Sequence, residues 1–372
     1  MDQQQRLLSL DIFRGLTIAA MILVNNPGSW SNVYAPLLHA DWHGVTPTDW
    51  IFPFFLFIVG VAIAYALGRR KAEGYDRKEL LAKIAWRTLI IFGIGLFLNL
   101  FPKFKFATFR IPGVLQRIAL VYGVCATLFV FYKPKQLLWI GIGCLLAYWG
   151  LMTLVPVPGG IEPNLEPSTN LGAWLDRTAM GKHLWVQSKT WDPEGLLSTL
   201  PAVGTGISGV LTGVWLRRKA GGYEKAAGLL AVGALLLALG NIWDLVFPIN
   251  KKIWTSSYVL YTSGAALVCL GVIYWLVDLR GSRWWTKPFI VYGTNALFVF
   301  VLSGLLVKLM YTIKWEDAAG ESMNVQSWLW TQVYEPTFAS AKLASLAYAI
   351  TNVLFFLALS WVLYRKRIFI KV

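Results

Sequence analysis

The segment between residues 25 and 53 concentrates the side chains best suited to chemistry. It reads Asn25-Asn26-Pro27-Gly28, then His39-Ala40-Asp41-Trp42-His43-Gly44-Val45-Thr46-Pro47-Thr48-Asp49-Trp50. Two of the chain's three histidines lie here, and the third is His183. Imidazole exchanges its proton near neutrality, with an ordinary pKa of about 6.5, so a neutral histidine can serve as a general base. It can also attack as a nucleophile. His39 and His43 stand four apart beside Asp41, but two histidines with one weak carboxylate fall short of a zinc ligand set, and no metal is expected. Asn25 can donate its amide to a developing oxyanion or simply close the helix before it. Thr48 is placed to cap the next helix, with Asp49 in its first turn, where an acid also has an ordinary role against the helix dipole.

The elements that must carry these residues follow from composition. The 372 residues are 56% hydrophobic and only 14% charged, with mean hydropathy +0.55, where a soluble domain carries roughly 25% charged residues. This is an all-α polytopic membrane protein. A helix needs roughly 20 apolar residues to cross a bilayer, and ten such stretches recur at 7–27, 48–68, 84–101, 113–132, 136–156, 195–216, 226–248, 257–277, 288–310 and 343–363. They form one domain over 1–372, with external loops at about 28–47, 157–194 and 311–342. The first stretch is interrupted by Asp11 and Arg14 and ends without a cleavage-like site, so it reads as a retained helix.

The net charge of +15 would suit a nucleic-acid partner, but its distribution excludes that reading. Connections on the N-terminal side hold twenty basic residues, from Arg6 through Arg69, Arg70 and Lys71 to Lys371, against six acids that include Asp2. That asymmetry places both termini in the cytoplasm, which an even number of crossings also requires. Cys125, Cys144 and Cys269 all fall inside expected spans, so neither a disulfide framework nor a zinc motif is indicated.

Ionisable side chains inside a bilayer cost several kcal/mol unless paired or facing water. Asp11 and Arg14, at i and i+3, share a helical face and either neutralise each other or line a site. Arg87 and Arg117, each read as about one turn into its helix, either snorkel to the surface or bind phosphates. Asp244 suits a hydrogen-bonding role at its helix end as well as a functional one.

Several of these runs resemble one known family. The motifs are Arg6-Leu7-Leu8-Ser9-Leu10-Asp11-Ile12-Phe13-Arg14-Gly15, the His39–Asp49 run leading to Phe52-Pro53-Phe54-Phe55, and Arg110-Ile111-Pro112-Gly113-Val114-Leu115-Gln116-Arg117. They continue with Asp192-Pro193-Glu194-Gly195, Pro248-Ile249-Asn250-Lys251-Lys252-Ile253-Trp254-Thr255-Ser256-Ser257-Tyr258 and Leu363-Tyr364-Arg365-Lys366-Arg367-Ile368-Phe369. In this order they resemble the transmembrane acyltransferases typified by heparan-α-glucosaminide N-acetyltransferase, and several collinear motifs are a specific signal.

The resemblance implies a ten-helix core that takes acetyl from cytoplasmic acetyl-CoA to an amino sugar on the other face. It further implies a bacterial relative in the cytoplasmic membrane that lacks the luminal domain, and a homodimer. By matching motifs, His39 is the catalytic histidine, Asn25 closes the preceding helix, and Ser257 belongs to the site. Ser257 either orients the acceptor or imidazole or caps a helix. Asp49 joins the catalytic set, while Arg14, Arg87, Gln116 and Arg117 are the expected acetyl-CoA contacts. Arg14 and Arg87 suit a cytoplasmic vestibule, and Arg117, on the external side, can instead order the catalytic end. The competing reading is an amino-sugar permease that uses the same cavity without acyl transfer.

Overall fold

The computed structural model describes residues 7–316, 320 and 322–370. Asp2, Arg6 and Lys371, which enter the charge reading, lie outside the described residues. Among the described residues, nine helical spans are long and apolar enough to cross a membrane, and a tenth crossing consists of two helices bent by 80° at a short break. In chain order the helices are α1 (Leu8–Asn25), α2 (Ile51–Ala72), α3 (Arg77–Leu100), α4 (Val114–Phe131), α5 (Pro134–Leu154), α6 (Leu171–Met180) and α7 (Thr199–Leu216). They continue with α8 (Gly222–Asp244), α9 (Ser256–Tyr274), α10 (Lys287–Thr294), α11 (Ala296–Thr312), α12 (Val325–Leu329) and α13 (Ala341–Arg365). The short helices α6 and α12 and a hairpin pairing β1 (Lys314–Glu316) with β2 (Ser322–Asn324) belong to connections.

The expected all-α membrane architecture is therefore present, with three local corrections. The third span starts at Arg77, because the Asp76 side chain caps it by accepting from the Lys78 N–H at 3.0 Å. Arg87 is consequently ten residues into α3, nearly three turns from its start rather than one. The ninth stretch is not one helix: the chain breaks at Asn295, between α10 and α11. Asn295 compensates by side-chain bonds to another segment, donating to the Ile368 carbonyl at 3.0 Å and accepting from the Ile370 N–H at 2.8 Å. Broken helices at membrane depth persist where such partners satisfy the freed groups. Finally, Thr46 and not Thr48 caps the turn leading into α2. It forms a capping box with Asp49, while the Thr48 hydroxyl donates to the Pro36 carbonyl at 3.1 Å.

Within a membrane, helices associate by close packing, and small residues permit it. The α2–α7 pair is built this way. A Cβ on Gly60 would lie 2.1 Å from the Gly206 carbonyl oxygen, and one on Gly209 would lie 2.0 Å from that of Phe57. Backbone contact between these helices fixes α2, which in turn positions the residues just before its start.

Candidate active site

Two paired loops hold the candidate catalytic side chains. The first precedes α2. The second, between α8 and α9, turns through Asn250, whose side-chain oxygen accepts from the N–H groups of Lys252 (2.7 Å) and Ile253 (3.1 Å). Thr255 closes the turn through its N–H to the Asn250 carbonyl, and Asp244 accepts from the Ile249 N–H. Trp254 holds the left-handed region at φ 53 within this turn. A buried indole rarely takes that conformation, and here Arg117 lies 5.1 Å from its ring. The loops are joined by the Gly44 N–H donating to the Ile249 carbonyl at 2.7 Å and by the Asn250 amide donating to His43 Nδ1 at 3.4 Å. His43 is thus engaged in loop pairing.

Asp49 is fully buried and divides its two oxygens between two tasks. Oδ2 accepts from the N–H groups of Ala40 (3.1 Å) and Thr46 (3.0 Å), which fixes the loop around His39. Oδ1 lies 2.7 Å from His39 Nδ1. A carboxylate only accepts, so the histidine proton resides on Nδ1 and Nε2 is left as the proton acceptor. Tyr258 holds the same segment by donating to the Asp49 carbonyl at 2.5 Å.

His39, Asn25 and Thr48 line a cavity of about 1050 Å³ that also includes Arg14 and Arg87. Its walls come from α1 to α4, the α10–α11 break and the segment ending at Ile370. Along α1, the eleven residues from Arg14 to Asn25 rise about 16 Å, so the cavity extends deep between its arginine end and its histidine end. Arg14 donates to the Gly293 carbonyl at the helix break (3.0 Å) and lies 3.3 Å from Asp11. Arg87 stacks over Tyr122 at 5.0 Å.

The remaining candidates sit elsewhere. Arg117 is buried, its guanidinium donating to the carbonyls of Pro193 (3.0 Å) and Gly195 (2.9 Å) and to the Ser198 hydroxyl. Gln116 is also buried, with its side-chain oxygen against Gly95 and Gly113. Neither residue belongs to the cavity wall, because the helix phase that turns Val114, Leu115 and Ile118 inward directs these two toward neighbouring elements. Ser257 is buried and donates to the Phe247 carbonyl at 2.5 Å, so it secures the second loop rather than facing the cavity. His183 Nδ1 donates to the Phe109 carbonyl at 2.8 Å and ties two connections together.

Two cavity residues carried no role in the sequence reading. Arg110 is paired with Asp192 and Glu194, joining the Arg110–Arg117 and Asp192–Gly195 runs. Burial alone would lower its pKa, but the two carboxylates hold it above the ordinary arginine value. Lys251 projects from the second loop to His39, its Nζ 2.9 Å from Nδ1 and 3.0 Å from Nε2. An in-plane approach equidistant from both nitrogens would drive the ammonium into the carbon between them, so Lys251 lies over the ring face. Burial lowers the Lys251 pKa, opposed by the Asp49 carboxylate 3.7 Å away. Contacts of this kind join residues some 200 positions apart, and only the presence of lysine in a motif run pointed to it.

The comparisons agree with the collinear motifs. The model of the family described as "Heparan-alpha-glucosaminide N-acetyltransferase, catalytic" matches residues 6–175. The human and mouse proteins named heparan-alpha-glucosaminide N-acetyltransferase are each 30% identical over 309 residues, covering 68% of this chain and 46% of the relative. The chain thus spans about half the length of the curated relatives it matches. With the motif order, the ten crossings and the histidine site in one frame, the chain belongs to the transmembrane acyltransferase family of heparan-alpha-glucosaminide N-acetyltransferase.

Proposed function

We propose that this protein is a membrane-embedded acetyltransferase that moves an acetyl group from cytoplasmic acetyl-CoA to the amine of a glucosamine-like sugar presented at the opposite face. The observation that carries this reading is the Asp49–His39 pair at a cavity whose wall also holds Arg14 and Arg87. Guanidinium groups suit the phosphates of CoA, and the depth of the cavity suits its extended pantetheine arm. The acceptor amine gives its proton to His39 Nε2 as its nitrogen attacks the thioester carbonyl. The carbonyl electron pair moves to oxygen, then returns as the carbon–sulfur bond breaks, and the thiolate leaves as CoA after taking a proton. Asn25, at the cavity wall, is suited to donate to the oxyanion. Direct transfer needs one geometry for both substrates, whereas an acetyl-imidazole route needs two.

The lysine- and arginine-rich end facing the cytoplasm, a bacterial inner membrane, lipid surroundings and a homodimer complete the reading. No metal is required. A permease is favoured by one observation, the 80° break between α10 and α11 beside the cavity, since transporters build sites on discontinuous helices. Both readings meet in one experiment: purified protein in liposomes, labelled acetyl-CoA on one face and glucosamine on the other, with wild type and His39→Ala compared. Labelled N-acetylglucosamine from wild type alone supports transfer. Sugar uptake independent of acetyl-CoA and no labelled product supports the permease.

A further inference from the structure

The Lys251 ammonium lies over the face of His39 and, among the described residues, has no oxygen within hydrogen-bonding distance. Among the described residues its ion-pair oxygen is Asp49 Oδ1 at 3.7 Å, beyond hydrogen-bonding range, because that oxygen is already bonded to His39 at 2.7 Å. Its neighbour behaves differently. Lys252, which lines the same cavity, donates to the Asp41 carbonyl and lies over the Trp42 ring at 5.9 Å, so its charge is already engaged. An ammonium has three N–H donors and no acceptor. One that is mostly buried, lines the cavity and stands beside the base has donors available for an oxygen that arrives with the substrate.

We propose that Lys251 is a catalytic residue that donates to the oxyanion formed when the acceptor amine attacks the acetyl carbonyl. The inference rests on the acetyltransferase reading and adds to it a charged donor, alongside Asn25, for the oxygen that takes up the carbonyl electron pair. The nitrogen–carbon bond forms as the π pair moves to oxygen and the amine proton passes to His39 Nε2. Lys251 stabilises the resulting negative charge until the carbon–sulfur bond breaks and the thiolate departs with the proton held by His39. Lys251 keeps its own proton throughout. Its place on the Asn250 turn, held by the hydrogen bonds described above, provides a preorganised charge where charge develops.

The test uses the full chain in liposomes with labelled acetyl-CoA and glucosamine. Lys251→Met is expected to lower kcat by about 10²- to 10³-fold, the usual loss on removing an oxyanion donor, with the KM for acetyl-CoA within twofold. A second variant, Lys251→Cys, is treated with 2-bromoethylamine to rebuild an ammonium at the same reach, with treated wild type as the control. Recovery of at least tenfold in kcat is the expected result. A kcat within threefold of wild type in Lys251→Met, a loss confined to KM, or a loss in Lys251→Cys that aminoethylation leaves in place overturns the assignment. Absence of transfer by wild type itself overturns the acetyltransferase reading, which separates the two failures.

Discussion

His39 Nδ1 and Asp49 Oδ1 are 2.7 Å apart, with the histidine side chain 44% exposed and the aspartate 1%. A buried acceptor thus fixes the tautomer of a histidine that lines the cavity. Conversion of His39 to alanine should lower kcat by about 10²- to 10⁴-fold, the usual contribution of a general base, with melting behaviour close to wild type. Transfer at the wild-type rate by a folded variant would remove His39 from the mechanism.

Asp49→Asn should be harmful in either amide orientation. One oxygen of Asp49 accepts from His39 and the other from Ala40 and Thr46, whereas an amide has a single acceptor oxygen. Either the histidine takes the wrong tautomer or the loop loses its anchors. The expected result is a kcat loss of about 10²-fold or more together with about 1–2 kcal/mol of stability, since the capping box is also weakened. Denaturation in detergent and single-turnover transfer separate the two effects, and a variant matching wild type in both refutes the arrangement.

The arginines should divide by placement. Arg14→Glu and Arg87→Glu are expected to raise the KM for acetyl-CoA by about tenfold, the scale of one charge-assisted hydrogen bond, with the KM for glucosamine little changed. Arg117→Met should act differently, because its guanidinium bonds Pro193, Gly195 and Ser198 inside the fold. It should cost about 3 kcal/mol by leaving buried acceptors unpaired, while molecules that remain folded keep the wild-type KM for acetyl-CoA. A selective rise in that KM for Arg117→Met would return Arg117 to the donor site.

Asp176, in α6 outside the membrane spans, has its pKa raised from 3.8 to about 6 by burial, with the charge of Asp192 adding to the effect. The folded protein therefore retains a proton that the unfolded chain has released between these values, and stability falls as pH rises from about 4 to 6. The total loss is about 3 kcal/mol at one pKa unit per 1.36 kcal/mol. Asp176→Asn should flatten this part of the profile. Parallel wild-type and variant melting curves across pH 4 to 7 would exclude Asp176 as its source.

The close approach of α2 and α7 predicts that Gly209→Leu prevents assembly, at a cost of about 3 kcal/mol or more, since even a Cβ would lie 2.0 Å from the Phe57 carbonyl oxygen. Gly143→Leu, on α5 with open space around it, is the control and should leave the yield of folded protein unchanged. Equal yields would contradict the packing.

The crossings were legible in the sequence because a bilayer demands long uninterrupted apolar helices, and the order of those runs is the order of the elements. The proposed base was legible for a related reason: His39 and Asp49 lie ten residues apart in one loop whose turn chemistry is local. The roles of Arg117 and Ser257 were not, since burial depends on which face of a helix meets a neighbour, and their spans are apolar on all sides. The break at Asn295 was equally hidden, because its hydrogen-bonding compensation comes from Ile368 and Ile370, some seventy residues away. Lys251 marks the boundary most clearly. Composition makes it one loop lysine beside another, and only the pairing of two distant loops sets its ammonium against the histidine ring, where charge and distance decide what it does.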